Sequence, residues 1–251
     1  MTVDVHELVV LRQEYVTPRM VRLVLGGPGL AGLESRTPDD HVKLVFPDSD
    51  TGRVRLPVRS ADGLSLEWPR PFPETREYTI RRLTADECWI DFVVHEGGLA
   101  SGWAVAAAPG ATLAVAGPRA GEVVPGTFTH HVLLGDHTAL PAIGRWLEDL
   151  PDGVRASVAV LVPDRAEEQD LLVRDGVDLT WFHEDDPAVP SSVLADFAAG
   201  VDRTDGRPVY LWAAGEAALL KPVRVWARSN GFARGTCDIA GYWRRPRTRS
   251  L

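Results

Sequence analysis

Residues 76–79, Arg-Glu-Tyr-Thr, place a cation and an aromatic ring two positions apart in a segment predicted to be a strand. Successive strand side chains point to opposite faces, so Arg76 and Tyr78 share one face, and Thr79 adds polar groups beside them. A flavin needs this combination: a charge partner for its diphosphate, a ring against its tricycle, and hydrogen bonds near its reactive nitrogen. An exposed, ion-pairing arginine and a half-buried tyrosine would account for the same residues equally well.

A glycine-rich turn follows the predicted strand at 89–95 and leads into a predicted helix. Residues 97–101 read Gly-Gly-Leu-Ala-Ser. Glycines permit close backbone approach, and a helix start with free N–H groups and a serine hydroxyl favours a diphosphate. Ser101 alone is equally well explained as an ordinary helix cap. Together with Arg76 and Tyr78, it predicts a flavin site.

A second glycine motif, at 27–32, matches the G-x-G-x-x-G pattern of dinucleotide-binding turns. In the functional motif the third glycine opens a helix whose N-terminus holds a pyrophosphate. Here the following residues run into Pro38, which interrupts a helix. We therefore interpret the motif as a turn after the predicted strand at 21–25.

The first half of the chain consists of short predicted strands separated by turn residues, which indicates a small antiparallel barrel or sandwich. One short helix, at 99–108, interrupts the series and ends at a Pro-Gly pair. The predicted strands are 5–12, 21–25, 41–46, 77–83, 89–94 and 112–116.

From about residue 131, buried strands alternate with amphipathic helices. That order predicts a parallel sheet with right-handed crossovers, a layer structure of the nucleotide-binding type. The predicted domains are therefore residues 1–127 and 128–251. The predicted strands are 131–135, 156–162, 179–183 and 208–213, and the predicted helices are 139–150, 167–173, 192–199 and 216–229.

Composition and charge argue against several classes of protein. The net charge of -8 argues against nucleic-acid binding, which needs clustered Lys and Arg. The apolar runs are much shorter than the roughly 20 residues of a membrane span. The acidic start of the chain, at Asp4, is unlike a secretion signal, so we expect a cytoplasmic protein. The C-terminal arginines are interpreted as a solvated end, with a surface that faces an anion as the alternative: Arg244, Arg245, Arg247 and Arg249. The cysteines Cys88 and Cys237 are interpreted as isolated thiols, with a disulfide left open.

Several segments, in the same order along the chain, resemble the siderophore-interacting protein family, and the resemblance covers nearly the whole chain. They are 40–44 (Asp-His-Val-Lys-Leu), 76–79, 91–95 (Asp-Phe-Val-Val-His) with Gly98 and Ser101, 117–119 (Gly-Pro-Arg), 135–142 (Gly-Asp-x-Thr-Ala-Leu-Pro-Ala), 212–216 (Trp-Ala-Ala-Gly-Glu) and 241–244 (Gly-Tyr-Trp-Arg).

The family belongs to the ferredoxin-reductase-like flavoproteins. The resemblance therefore implies an N-terminal antiparallel FAD-binding β-barrel, a C-terminal parallel α/β domain for NADH or NADPH, and reduction of ferric siderophores with release of Fe(II). The implied FAD-binding residues are Arg76, Tyr78, Thr79, Val94, His95, Gly98 and Ser101. The other implied cofactor-binding residues are Gly135, Asp136, Thr138, Pro141, Glu216 and Trp243, and the implied substrate-binding residues are Lys43 and Arg244.

Electron transfer to iron at an exposed flavin edge needs no catalytic acid or base, and we assign none. The sequence has no H-E-x-x-H motif, no G-x-S-x-G motif and no clustered cysteines, so no metal site is predicted. His130 and His131 are interpreted as loop or edge residues. We expect a monomer that does not associate with a membrane, and a ferredoxin is a further candidate electron donor.

Three residues depart from the family pattern, namely Glu96, Gly102 and His137. A gained acid and a lost cation should weaken diphosphate binding by about 1 kcal/mol each if exposed. These departures leave two alternatives open. One is a flavoenzyme of the same fold that acts on an organic metabolite, and the other is a binding protein without flavin.

Overall fold

The computed structural model describes residues 4–48, 50–61, 65–119, 121 and 123–245. The chain forms two compact units, Met1–Val123 and Val124–Leu251. Arg247 and Arg249 of the predicted basic tail lie outside the described residues. In the described part of the chain, no helix combines the length and the apolar character needed to cross a membrane.

The first unit is built on a seven-stranded antiparallel sheet with the order β6-β3-β9-β1-β2-β8-β7. A short helix, α1 (Leu99–Ala106), follows β8. The strands are β1 (Asp4–Thr17), β2 (Met20–Gly26), β3 (His41–Val45), β6 (Thr75–Thr79), β7 (Arg82–Leu83), β8 (Cys88–Val93) and β9 (Thr112–Arg119), and a separate antiparallel pair is formed by β4 (Val58–Arg59) and β5 (Leu66–Glu67).

The connection between the two edge strands makes this sheet curl. Only Ile80 and Arg81 separate β6 from β7, although these strands lie at opposite edges. The rings of Tyr78 on β6 and Phe92 on β8 are in contact, with centroids 4.4 Å apart. Among the described residues no backbone ladder joins β6 to β8, so the sheet is barrel-like with an opening between these strands. The predicted antiparallel first domain is confirmed in this form.

Apolar side chains fill the inside of the curled sheet. Leu8, Val21, Leu44, Ile80 and Ile90 are fully buried there. Each comes from a different part of the sheet, so the core holds the strands together rather than any single hairpin.

The glycine motif at 27–32 is a turn, as predicted. Its centre is a short 3-10 turn, Pro28–Leu30, directly after β2. A Cβ added at Gly29 would lie 2.0 Å from the carbonyl oxygen of Glu7. Glycine is therefore required here because the turn packs against the backbone of β1.

The second unit contains a five-stranded parallel sheet with the order β12-β11-β10-β13-β14. The parallel α/β prediction is thus confirmed. The elements are β10 (His130–Asp136), α2 (Leu140–Glu148), β11 (Arg155–Val162), β12 (Val177–His183), α3 (Val193–Gly200), β13 (Val209–Glu216), α4 (Leu220–Ser229) and β14 (Cys237–Trp243).

Two elements of this unit differ from the prediction. The helix predicted at 167–173 is wrong: the chain makes only a 3-10 turn, Arg165–Glu167, and Leu172 and Val173 stay exposed. Without an apolar stripe to bury, a helix gains little there. The edge strand β14 is not predicted, because its residues are only half-buried and lack an apolar run.

The interpretation of His130 and His131 as loop or edge residues is wrong. Both lie on β10, the middle strand of the sheet, and they are 1% and 6% exposed. The His130 Nε2 atom lies 2.9 Å from the Ser157 hydroxyl, and the His131 ring packs on Trp146 with centroids 5.3 Å apart. Neighbouring strands cover these imidazoles, which the local sequence does not reveal. Among the described residues, no group of His, Cys, Asp and Glu is arranged to hold a metal ion.

Burial of His131 predicts a pH-dependent stability. Loss of hydration, with a smaller effect of His130, lowers the pKa of His131 from 6.5 to about 4. The unfolded chain binds this proton below about pH 6.5, whereas the folded unit excludes it until about pH 4. The neutral His131 therefore contributes its full stabilisation of the folded unit above about pH 6.5. This contribution, about 3 kcal/mol in total, is lost as the pH falls from about 6.5 to about 4.

Thermal unfolding at about pH 7 and about pH 5 measures this effect. We expect wild-type protein to lose stability at the lower pH and His131→Phe to lose much less. His41→Gln, a substitution in the other unit, is the matched control. Equal pH dependence in wild type and His131→Phe would contradict the assignment.

Candidate functional site

The strand β6 presents different residues on its two faces. Its register with β3 pairs Val42 with Tyr78 and Lys43 with Glu77. Arg76 and Tyr78 therefore share a face, as predicted, while Lys43 lies on the opposite face of the sheet. Thr79, paired with His41, is on the Lys43 face and is 7% exposed.

Tyr78 lies where the two edges of the curled sheet meet. Its ring is tilted by 37° against Phe92, with centroids 4.4 Å apart. Burial raises the pKa of the Tyr78 phenol to about 12, against the lowering effect of the Arg76 charge, so the phenol is neutral at physiological pH. The contact connects the predicted flavin strand with β8, the strand that leads into the glycine-rich turn.

Ser101 shapes the turn between β8 and α1. Its Oγ accepts a hydrogen bond from the His95 N–H at 3.0 Å and donates one to the His95 carbonyl at 3.1 Å. The side chain is 2% exposed. Ser101 thus holds the backbone of the turn, whereas the sequence suggested a hydroxyl directed at a diphosphate. Val94 supports the same turn through its N–H, which donates to the Arg19 carbonyl at 2.8 Å.

The first turn of α1 is open to an acceptor from outside. Gly98 is the N-cap residue, and no side chain caps the helix. The first amides of a helix have no partner within the helix. Gly97 has φ +71°, so the turn requires glycine at this position, whereas a Cβ at Gly98 would meet only the ring of the exposed His95.

The residues of this unit fit an FAD. They offer a half-exposed cation at Arg76, a half-buried phenol ring at Tyr78 and uncapped amides at α1. The Arg76 guanidinium is 3.2 Å from Glu74 and 2.7 Å from the Thr75 carbonyl, and these partners are exposed enough to exchange for a diphosphate.

A charged cluster occupies the opposite face of β6 and β3. Lys43 Nζ lies 3.2 Å from Glu77 Oε1, and the guanidinium of Arg119 lies 3.7 Å from the same atom. Burial would raise the pKa of Glu77, but the hydrogen bond and charge of Lys43, with His41 and Arg119 adding to them, hold it below its usual value. Two cations therefore share one carboxylate. The sequence analysis used Arg119 only as part of the 117–119 segment and did not place it beside Lys43.

In the second unit, Asp136 connects three strands at the carboxyl edge of the sheet. Its Oδ1 accepts from the Thr138 N–H at 2.8 Å and from the Thr138 hydroxyl at 2.5 Å. Its Oδ2 accepts from the Glu216 N–H at 2.7 Å and from Trp243 Nε1 at 2.8 Å. The carboxylate is 1% exposed, so it organises the ends of β10, β13 and β14 from inside.

Glycines keep this edge free of side chains. A Cβ at Gly135 would lie 2.4 Å from the Ala139 Cβ, and Gly215, at φ +143°, would place one 2.7 Å from Asp136. Pro141 is buried in the first turn of α2. The carboxyl edge of a parallel sheet, with bare backbone at the strand ends, is where dinucleotides bind in this class of fold.

The carboxylate of Glu216 is held by backbone groups. It accepts from the N–H groups of Ala218, Leu219 and Arg245 at 2.5, 2.8 and 3.2 Å. Burial would raise the pKa of Glu216, but these bonds lower it. Glu216 is the last residue of β13, whereas the sequence analysis placed it at the start of a helix at 216–229, and its carboxylate supports the turn before α4.

The C-terminal residues of the second unit combine an aromatic ring and cations. The Arg245 guanidinium lies 5.8 Å from the Trp243 ring centroid and 3.5 Å from Glu184. Arg244 is exposed, and no residue within 123–245 bonds its guanidinium. Arg244 is thus available to an anion.

The chain shares its fold with solved structures of low sequence identity. The ferredoxin reductase of carbazole 1,9a-dioxygenase has the same fold, with a TM-score of 0.69 at 14% identity, over 96% of this chain and 70% of that one. The chain belongs to the siderophore-interacting protein family: residues 9–122 match the siderophore-interacting FAD-binding domain, and residues 128–246 match the model described as siderophore-interacting protein.

Two relatives are similar over nearly their whole length. The NADPH-dependent ferric-chelate reductase of Escherichia coli is 36% identical over 243 residues, covering 95% of this chain and 92% of the relative. The crystal structure of a siderophore utilization protein from T. fusca superposes with a TM-score of 0.89 at 39% identity, over 100% of this chain and 97% of that one.

Proposed function

We propose that the protein is an FAD-dependent NAD(P)H oxidoreductase that reduces ferric siderophores and releases Fe(II). The observation that carries this proposal is the contact between Tyr78 and Phe92, which joins the predicted flavin strand to the strand before the uncapped helix α1. Family membership and the ferric-chelate reductase from Escherichia coli support the reaction.

Residues 1–127 form the proposed FAD domain. Arg76 and the amides of α1 would hold the diphosphate, and the ring of Tyr78 would contact the tricycle. Thr79 lies on the opposite face of β6 from Arg76 and Tyr78 and is 7% exposed, so its hydroxyl is not part of the proposed flavin contact. The positions of Val94, His95, Gly98 and Ser101 fix the turn that carries these amides.

Residues 128–251 form the proposed domain for the nicotinamide nucleotide. Gly135 and Pro141 keep the edge of the sheet compact, and Asp136 with Thr138 fixes the turn that the dinucleotide meets. Glu216 and Trp243 lie at the neighbouring strand ends, where both bond to Asp136, and are proposed to contact the nicotinamide nucleotide. The relative from Escherichia coli supports NADPH as the donor.

When bound, FAD would accept a hydride from NAD(P)H and pass single electrons on to Fe(III). The proposed task of the protein at the iron end is to hold the chelate by charge. Lys43 in the first unit and Arg244 in the second are each proposed for this role, and Arg119 joins Lys43 because both lie beside Glu77 Oε1. Reduction loosens the complex, because Fe(II) binds hard oxygen ligands more weakly than Fe(III) does.

The first test is the visible spectrum of the purified protein. We expect bound or reconstituted FAD that is bleached anaerobically by NADPH or NADH and is reoxidised by ferric siderophores, with Fe(II) appearing in a ferrous-specific dye. Protein that stays colourless with added FAD would support the flavin-free alternative. Reoxidation by organic acceptors but not by ferric chelates would support the biosynthetic alternative.

We further propose that the protein acts as a cytoplasmic monomer and that a ferredoxin can replace the nicotinamide donor. Sedimentation of the FAD-loaded protein tests whether it is a monomer. Flavin reduction by reduced ferredoxin without NAD(P)H tests the donor.

A further inference from the structure

A small cavity lies between the second half of α4 and the start of β14. Its volume is about 260 Å³, which is enough for a small molecule but not for a dinucleotide. It reaches Cys237, the first residue of β14, whereas the proposed nucleotide site lies at the carboxyl ends of the strands. None of its lining residues belongs to the proposed flavin or nucleotide sites.

Three arginines line this cavity. Arg224 and Arg228 are one helical turn apart on α4, so they share a face of the helix, and Arg234 comes from the loop between α4 and β14. Within the described part of the chain, no carboxylate forms an ion pair with any of these three guanidinium groups. The whole chain has a net charge of -8, so three neighbouring cations without a carboxylate are a local exception.

Arg224 is held in place by neutral partners. Its guanidinium donates to the Ile239 carbonyl at 3.2 Å and to the Ala217 carbonyl at 3.5 Å. These bonds orient the guanidinium but leave its positive charge unpaired. Arg228 and Arg234 are exposed, so their side chains are free to turn toward a ligand.

The end of α4 beside the cavity is capped. The Asn230 N–H donates to the carbonyls of Trp226 and Ala227 at 3.0 and 3.1 Å, and the Phe232 N–H donates to the Ala227 carbonyl at 3.0 Å. Because these carbonyls are bonded, the negative end of the helix dipole opposes an anion less than free carbonyls would. Interaction with that dipole accounts for a cation at Arg228, but not for those at Arg224 and Arg234.

The remaining walls are apolar. Phe232, Ile239 and the buried Ala227 line the cavity beside the arginines. The Phe232 ring packs on Trp226, with centroids 5.5 Å apart, so it forms a fixed surface. The cavity therefore combines three cations with a small apolar surface, which suits an anion that carries a carbon skeleton.

We propose that this cavity binds a small phosphate ester. The three arginines hold the phosphate group, and the carbon body packs against Phe232 and Ile239. A phosphate group presents three terminal oxygens and up to two negative charges, which match more than one planar guanidinium fork. A carboxylate has two oxygens and one charge, so it would satisfy only one of these arginines. This site goes beyond the proposed reductase function and does not depend on it.

Cys237 provides a reporter inside the cavity. Its thiol is half-buried, whereas Cys88, the other cysteine of the chain, is fully buried. Iodoacetate and iodoacetamide both alkylate a thiolate with loss of iodide, but only iodoacetate is an anion. The ratio of the two rate constants at Cys237 therefore measures the attraction of the cavity for anions, because the reactivity of the thiol itself cancels.

The experiment alkylates the FAD-loaded protein and the urea-unfolded protein with each reagent and follows Cys237 by peptide mass spectrometry. We expect the iodoacetate-to-iodoacetamide ratio to be about tenfold higher in the folded protein and to fall toward the unfolded value in Arg228→Gln and Arg234→Gln. Arg207→Gln should keep the wild-type ratio, because Arg207 is already paired with Asp205 at 3.0 Å. The iodoacetamide rate in each variant shows whether the fold around Cys237 is intact.

Protection from iodoacetamide identifies the ligand. Glycerol 3-phosphate should slow the alkylation of Cys237, whereas glycerol and acetate at the same concentration should not. Arg228→Lys keeps the charge but not the planar fork, so it should keep the reagent ratio and lose much of the protection.

Four results would overturn the proposal. The first is an equal reagent ratio in folded and unfolded protein, and the second is equal protection by glycerol or acetate. The third is equal protection by inorganic phosphate, because the carbon body would then contribute nothing. The fourth is equal protection by NADP+, because the cavity would then belong to the nucleotide site.

Discussion

Asp136→Ala should lower the free energy of unfolding of the second unit by about 3–5 kcal/mol and abolish flavin reduction by NAD(P)H. The carboxylate accepts four hydrogen bonds at a site that is 1% exposed. Alanine leaves the N–H groups of Thr138 and Glu216 and the indole of Trp243, all on half-buried residues, without their acceptor. Each such donor costs about 1–3 kcal/mol.

Urea unfolding followed by circular dichroism measures the stability, and stopped-flow bleaching of the bound flavin measures the electron input. Asp136→Asn keeps the shape of the side chain but directs an amide NH₂ at some of these donors. Its loss of unfolding free energy should therefore lie between those of wild type and Asp136→Ala. Asp178→Asn, at an exposed carboxylate on β12, is the matched control. An Asp136→Ala protein within about 1 kcal/mol of wild type would refute the linking role of this carboxylate.

Tyr78→Ala is expected to weaken FAD binding by about 100-fold, because an aromatic contact and the side chain that closes the sheet opening are lost together. The ring contacts Phe92 across the opening between β6 and β8. Its removal also costs the first unit about 2 kcal/mol of stability, less than a fully buried aromatic residue would.

Fluorescence titration of the apoprotein with FAD measures this affinity, and thermal unfolding of the apoprotein measures the stability separately. Tyr78→Phe is the matched control, since it keeps the ring. Because the pKa of the phenol is raised to about 12, FAD affinity of the wild type should not change through ionisation of Tyr78 below about pH 10. An unchanged FAD affinity in Tyr78→Ala would exclude this strand from the flavin site.

The sequence predicts features that depend on local periodicity. Strand alternation correctly places Arg76 and Tyr78 on one face, and alternating buried strands and helices correctly predict the parallel second unit. The proline after the motif at 27–32 correctly indicates a turn.

Features that depend on distant partners are not predicted. Asp136 accepts hydrogen bonds from both Glu216 and Trp243 only because three strands are in register. Tyr78 contacts Phe92 only because the sheet curls. Burial of His130 follows from the position of β10 between β11 and β13, which its own sequence does not specify. Local pattern therefore predicts which face of a strand a candidate residue occupies better than it predicts what that residue contacts.

The position of β9 has a consequence for how the first unit is made. This strand is the last one of the unit to leave the ribosome, yet in the sheet it lies between β3 and β1. A nascent chain that ends before residue 112 therefore carries two unpaired strand edges, which are templates for association with other chains. The sheet is complete only after β9 has been synthesised and has inserted between β3 and β1. Rapid insertion of β9 therefore shortens the time during which these edges are exposed.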